Sequence, residues 1–400
     1  MSVPERSGKG RISPRGETGD RRLTEVILRR IREKGRITFR EFMALCLYHP
    51  VHGYYRSRRE KIGRDGDYYT SPCVHPIFGR MIAKQIYQMW DFMGERPDFR
   101  VLEYGSGKGF LCHDILSYLR EERSRFFETL SYLMVETSPF LRREAEHLLS
   151  GKGFGEKVQW VDPRQLEYEN VRFRGCILSN ELVDSFPVHV VTLRDGRLRE
   201  IYVTFEDGGF REELGDPSSG QLEGYFQKLG ITLEEGQRAE VNLMALEWVD
   251  AVARILTDGF VVTIDYGHEA EILYSPLRSS GTLLCYHRHT WGDNPYERIG
   301  QQDMTSHVDF TALTKKGEEV GLRRTGLTTQ ARFLINLGFV DEAQRMVGED
   351  QSSIEGIRNR LAMKTLIVPN GGMGDVFKVL IQHKGIDAPR LDGLRDLKAF

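Results

Sequence analysis

Residues 100–119 read RVLEYGSGKGFLCHDILSYL, and this stretch decides the fold. Val101 to Tyr104 form an apolar run short enough for a buried strand, and Leu111 to Leu119 carry apolar residues at helical spacing. Between them lie Gly105, Gly107 and Gly109. Glycines at such a junction let a backbone pass close to a ligand, and the helix that follows offers free N–H groups at its start. A phosphate-cradling G-x-x-x-x-G-K-[ST] loop is disfavoured, because Gly107-Lys108 is followed by Gly109 and not by a hydroxyl. The dinucleotide pattern G-x-G-x-x-G would put its third glycine at Phe110. What fits is acidic-x-G-x-G-x-G, led by Glu103.

Outward from the loop, short apolar runs alternate with helical stretches. YLMVE (132–136), VQWV (158–161), CILSN (176–180) and FVVTIDY (260–266) predict buried strands. The segments 139–149 and 239–256 predict helices, and VFKVLIQ (376–382) predicts a last strand. Such alternation predicts a doubly wound α/β sheet with ligands at the carboxyl ends of its strands. Residues 188–210 alternate with period two around Asp195-Gly196, which predicts a β-hairpin insertion. Upstream, Leu23, Val26, Ile27 and Ile31 share a helix face, Thr38 to Glu41 match a capping box, and residues 70–93 predict one long helix. The expected organisation is a disordered tail over 1–22, a helical region over 23–95, and a ligand-binding domain over 96–385. That domain carries an insertion around 187–235, and a second tail spans 386–400.

Composition bounds the function. The 56 Lys and Arg nearly cancel the 58 Asp and Glu, which leaves a net charge of -2 and no chain-wide electrostatic reason to bind nucleic acid. No apolar run approaches a membrane span, so no membrane insertion is expected. Arg and Ser in residues 1–20 would suit a mitochondrial transit peptide, but Glu5, Glu17, Asp20 and the helix breakers count against it. Cys46, Cys73, Cys112, Cys176 and Cys285 are odd in number and never spaced C-x-x-C, which fits a reducing compartment. His287, His289 and His307 lack further ligands at regular spacing, so no metal is expected.

Three carboxylate positions carry chemistry. Glu136 ends the second strand, where its two oxygens could accept both hydroxyls of a ribose; a surface Glu at a strand end is the plainer reading. Asp162, after the third strand, sits where this fold commonly contacts adenine, and a turn-forming Asp before Pro163 explains it equally well. The fourth strand delivers Asn180, Glu181 and Asp184. Within a helical turn, Glu181 and Asp184 would share a face and suit a cationic acceptor such as a guanidinium. Acids at a helix N-terminus are the bland alternative.

ITFREFMALCLYHPVHGYY, GDYYTSP, LEYGSGKG, LSNELVDSFPVH, VVTIDYG, QQDMTSHVDFTAL and GMGDVFKVL, taken in order, resemble the MidA-like methyltransferases over residues 23–385. The glycine loop is similar to motif I of class I S-adenosylmethionine (SAM) methyltransferases. The resemblance implies a Rossmann-like class I methyltransferase sheet with SAM as cofactor, and symmetric dimethylation of arginine on a protein. In mitochondrial members the substrate is a subunit of respiratory complex I. It further implies cofactor binding by Glu103, Gly105, Gly107, Gly109 and Glu136, with Asp162 and Thr70 beside them, and acceptor handling by Asn180, Glu181 and Asp184. Asp265-Tyr266-Gly267 would close the pocket floor, while GDYYTSP (Asp67, Thr70, Ser71) and QQDMTSHVDF (Asp303, Thr305, His307) would act as lids. The expected location is cytoplasmic for a bacterial-type chain and the mitochondrial matrix for a eukaryotic one, and a homodimer is compatible with the chain. Two alternatives stay open: a methyltransferase for a small molecule or nucleic acid, and a non-catalytic assembly chaperone on a SAM fold.

Overall fold

The computed structural model describes residues 19–396 except 58–60, 62, 64–65, 68, 169–171, 348–352 and 370. The tail expected over 1–22 lies outside the described residues as far as position 18. Its end does not: Asp20 accepts the N–H groups of Arg22 and Leu23 and so caps α1 (Arg21–Lys34), which buries Leu23, Ile27 and Ile31. In α2 (Phe39–Tyr48) half of the capping box forms, Thr38 accepting the Glu41 N–H at 3.1 Å. The Glu41 carboxylate instead pairs with Arg30 and Lys34. The single helix expected over 70–93 is broken. Pro76 excludes the helical region for its predecessor, and His75 is extended (φ -163, ψ 141), which separates a turn at Ser71–Val74 from α3 (Ile77–Phe92).

The next elements are β1 (Arg100–Tyr104), α4 (Phe110–Glu122), β2 (Ser131–Val135), α5 (Pro139–Gly151), β3 (Val158–Trp160) and β4 (Phe173–Asn180). The insertion follows as β5 (His189–Arg194), β6 (Arg197–Glu206), β7 (Gly209–Gly215) and β8 (Arg238–Val241). Here the expected helix over 239–256 is corrected. Residues 238–241 pair with β5, and Asn242 caps α6 (Leu243–Ile255) by accepting the Ala245 N–H. The chain continues through β9 (Leu256–His268), α7 (Phe310–Glu319), β10 (Arg323–Thr329) and β11 (Phe377–Lys384).

Two sheets dominate. The main one runs β10-β11-β9-β4-β1-β2-β3, with β11 antiparallel to both of its neighbours and β9 through β3 parallel. Strand order therefore reverses at the β4/β1 boundary, where open α/β sheets bind ligands. The chain has the doubly wound fold expected, including the hairpin at Asp195-Gly196. One face of the sheet packs against α3, α4 and α5, and the other against α6 and α7. A separate core joins α1 and α2 to Val188, Val190, Ile201 and Val203 of the insertion. Of the N-terminal region, α1 and α2 thus share a core with the insertion, while α3 belongs to the main sheet. Residues 391–394, within the expected second tail, dock back on the body: Leu391 is buried and the Gly393 N–H donates to Gln85. Among the described residues no helix is long and apolar enough to cross a membrane.

Candidate functional site

A cavity of about 440 Å³ opens at the carboxyl ends of β1, β2 and β4. Its wall takes Glu103 to Lys108 from the glycine loop, Val135 to Thr137 after β2, Pro163 after β3 and Asn180 to Leu182 after β4. Gly105, Gly107 and Gly109 all have positive φ (69, 55 and 78), a conformation costly for any side chain. They serve different ends. Gly105 and Gly107 lie on the wall. Gly109 does not; a Cβ there would sit 3.0 Å from that of Ala145, so this glycine lets α4 approach α5.

The Glu136 carboxylate braces the loop. Its Oε2 accepts the Gly107 N–H at 2.9 Å and its Oε1 the Ser138 N–H at 2.6 Å, and each oxygen keeps a second lone pair. Burial pushes this carboxyl up to about 6. Glu103, at the end of β1, accepts the Tyr132 hydroxyl at 2.7 Å, and burial pushes it up to about 8. Asp162 does not reach the cavity. Its carboxylate turns back onto the Arg164 N–H and guanidinium, and only the neighbouring Pro163 lies on the wall.

Glu181 has φ +50, which is uncommon for a residue with a side chain and tends to occur at functional sites. The Ile264 carbonyl on β9 accepts its N–H at 2.9 Å. Its Oε1 accepts the Ser71 N–H at 2.9 Å and the Asn180 amide at 3.1 Å, while its Oε2 accepts no hydrogen bond among the described residues. Burial, with Asp184 nearby, pushes the carboxyl up to about 8. Thr70 is on the wall beside it and donates to Cys73 Sγ.

Asp184 departs from the expected shared face. The left-handed turn at Glu181 and a short 3₁₀ turn over 183–185 swing it away from the wall. There its Oδ2 accepts the Tyr266 hydroxyl at 2.5 Å, and its Oδ1 has no partner among the described residues. Burial pushes it up to about 6. Asp265 is not a cavity floor either. Its Oδ2 accepts the N–H groups of Val183 (2.9 Å) and Asp184 (3.3 Å), and its Oδ1 that of Tyr266, so it clamps the turn that presents Glu181. The two segments expected as lids are tied to one short helix. Tyr54 donates to Asp67 at 2.6 Å and Tyr55 to Asp303 at 2.8 Å.

Tyr48, Tyr55, Met244, Glu247 and Trp248 also line the cavity, and the sequence reading had no role for them. HPVHGYY could have pointed to Tyr55; a tryptophan on an amphipathic helix reads simply as core. Among the described residues, Ser106 Oγ, Asn180 Oδ1 and Trp248 Nε1 are buried behind the wall without a partner. Glu103, Glu136 and Glu181 give the wall acidic groups, and Val135, Met244 and Trp248 give it apolar surface, which suits a ligand with several polar groups and an apolar body.

A family model of S-adenosyl-L-methionine-dependent methyltransferases matches residues 81–328. A Burkholderia thailandensis protein crystallised with bound S-adenosyl-homocysteine superposes with a TM-score of 0.83. It is 29% identical, over 93% of this chain and 94% of that one. The mitochondrial protein arginine methyltransferase NDUFAF7 homolog of Drosophila melanogaster is 28% identical over 95% of this chain and 89% of its own. NDUFAF7 of Danio rerio is 27% identical over 83% and 81%.

Proposed function

Because this chain belongs to the S-adenosyl-L-methionine-dependent methyltransferases, with SAM as its cofactor, we propose that its acceptor is an arginine side chain of a protein. The observation that carries this reading is a group of acids with nothing to neutralise them. Asp184, Asp265 and Asp303 are at most 5% exposed, and Asp184 is close enough to act on Glu181 and on both other aspartates. Each is pushed up first by burial, and Asp184 raises the other two and Glu181 further. Among the described residues no Lys or Arg pairs with any of the four. Buried acids with no positive partner keep their protons, and a bound cation is what would let Glu181 ionise on the wall. A guanidinium is planar, permanently charged and rich in donors, and it matches the open acceptor Glu181 Oε2 on the wall. The names of the relatives point the same way.

In this reading Glu136 takes the ribose hydroxyls, Glu103 faces the amino group, and Gly105 and Gly107 let the backbone lie against the cofactor. When bound, SAM supplies an electrophilic methyl group on a sulfonium. The chain does the rest: Asn180 and the Ser71 N–H fix Glu181 Oε1, which leaves Oε2 to orient the guanidinium, and Tyr48, Tyr55 and Phe186 exclude water. The nitrogen that gains the methyl sheds a proton, and in this reading Glu181 on the wall accepts it. Symmetric dimethylation and a respiratory complex I subunit as substrate are the finer form of the proposal. Peptide mass mapping of a deletion strain against wild type tests it. An arginine that loses two methyl increments in the deletion supports the reading; methylation lost only from a nucleic acid or small molecule refutes it.

A further inference from the structure

We propose that the hairpin 284–292 is the ridge on which the acceptor protein docks, with Trp291 gripping an apolar side chain of that protein near the target arginine. This deepens the arginine reading and rests on it.

Leu284–His287, Thr290–Gly292 and Asp303–Thr305 form a small sheet of their own. Its register puts Tyr286 opposite both Trp291 and Asp303, and residues directly opposite one another project from the same face. The other face carries Cys285 and Met304, which are buried in the core shared by α1, α2 and the insertion. One face therefore leads from a buried acid out to solvent: Asp303 is 3% exposed, Tyr286 is half-buried and Trp291 is 71% exposed. Tyr286 stands beside the acids; burial pushes its hydroxyl up, and the charges of Asp184 and Asp303 push it further. Of the four tryptophans Trp291 alone is exposed, and it is not an isolated surface residue. At the tip of the same hairpin His289 stacks on Tyr69, itself 47% exposed, with centroids 5.0 Å apart at 22°.

The ridge is fixed relative to Glu181. His287 pairs with Thr290, so Arg288 and His289 make a two-residue turn, with φ of 49 and 59. Gly, Asn or Asp ordinarily fills such a turn, and larger side chains are strained there. Asp67 holds the strained turn: its Oδ1 accepts the Arg288 N–H at 2.7 Å and its carbonyl the His289 N–H at 3.0 Å. The same segment continues to Ser71, whose N–H donates to Glu181 Oε1. It thus fastens the hairpin at one end and the acceptor carboxylate at the other. Trp291 is not on the cavity wall, so it serves an acceptor that extends beyond the wall, as a protein does. A large rigid indole is the side chain that most often anchors such a contact.

The test measures transfer of labelled methyl from SAM to the proteins of a deletion-strain extract over a range of extract concentrations, with the label assigned to arginine by hydrolysis. Wild type, Trp291→Ala and Trp291→Phe are compared. In Trp291→Ala the extract concentration for half-maximal transfer should rise about 5- to 30-fold, the range for losing an interface anchor, with the saturating rate nearly unchanged. Trp291→Phe should recover most of the difference. Melting temperature and S-adenosyl-homocysteine affinity should match wild type in both variants, which separates docking from folding. Tyr69→Ala, which removes the second exposed ring of the ridge, gives an independent reading in the same direction should Trp291→Ala lose the fold. Variants that saturate at the wild-type extract concentration overturn this proposal alone. A wild type that labels no protein arginine overturns the arginine reading, and this proposal with it.

Discussion

At the scale of single residues, two carboxylates on one wall carry separable duties. Removing Glu136 takes away a charged acceptor and also the brace on the Gly107 N–H. Glu136→Ala should therefore weaken SAM binding by about 10- to 100-fold, as expected for loss of 1.5–3 kcal/mol of charge-assisted hydrogen bonding. Calorimetry measures it; a change under about twofold means that the ribose sits elsewhere. Glu181→Gln leaves the shape intact but turns an acceptor oxygen into an amide that repels the guanidinium N–H groups. Methyl transfer should fall by more than about 100-fold while SAM affinity barely moves. Both quantities come from one preparation, and a joint collapse would place Glu181 in the cofactor site instead. The legibility of these positions follows from their physics. A glycine that must hold positive φ has few substitutes, so Gly105 and Gly107 stand out in the bare sequence. Asp184 was misplaced because helical spacing was assumed for a stretch that begins left-handed at Glu181. Trp248 was missed because a tryptophan on an amphipathic helix reads as core until the cavity beside it is known.

At the scale of elements, the site depends on how β4 and β9 leave the sheet side by side. Asp265 on β9 accepts three backbone N–H groups, two of them from the turn that follows β4. Asp265→Asn leaves one of these oxygens unable to accept, at a cost of about 1–3 kcal/mol per unsatisfied donor. A lower melting temperature and a loss of turnover larger than any loss of SAM affinity are expected. Unchanged kinetics in the folded variant would mean that the turn holds its shape unaided. Six strands of the main sheet were legible because each is a short apolar run closed by polar turns; β10, which reads RRTGLTT, has no such run and was not. The segment 238–255 was not, since four alternating residues before an amphipathic helix look like its first turn until β5 supplies a partner. His75-Pro76 carried its own warning, and the helix should have been cut there from sequence alone.

At the scale of the whole molecule, burying so many acids ties stability to pH. Glu103, Glu181 and Asp303 are held near 8, and Glu136 and Asp184 near 6, all above their unfolded values. Such groups bind more protons folded than unfolded, so their contribution is complete below the unfolded value and is lost as pH rises through the folded one. His75, His268 and His307, lowered first by desolvation, act oppositely, but only below about pH 6.5, where unfolded histidine becomes charged. The ligand-free protein should therefore lose melting temperature steadily between about pH 6.5 and 8.5. Glu181→Gln should flatten that slope; a wild-type curve that rises over the window contradicts the assignment.

The position of β11 bears on how the protein is made. On the ribosome β9 and β10 emerge first, and until residues 377–384 follow, the slot between them is vacant and two strand edges lie open. Val379, Leu380 and Ile381 fill that slot with no exposure at all, so nothing nascent can close the sheet in their place. Unpaired apolar edges are templates for association with other chains. A chain stopped just before Phe377 should accumulate as aggregate or be cleared by proteases, although nearly every residue of the cavity wall has already been synthesised. Pulse-labelling with fractionation of soluble and insoluble product would show it.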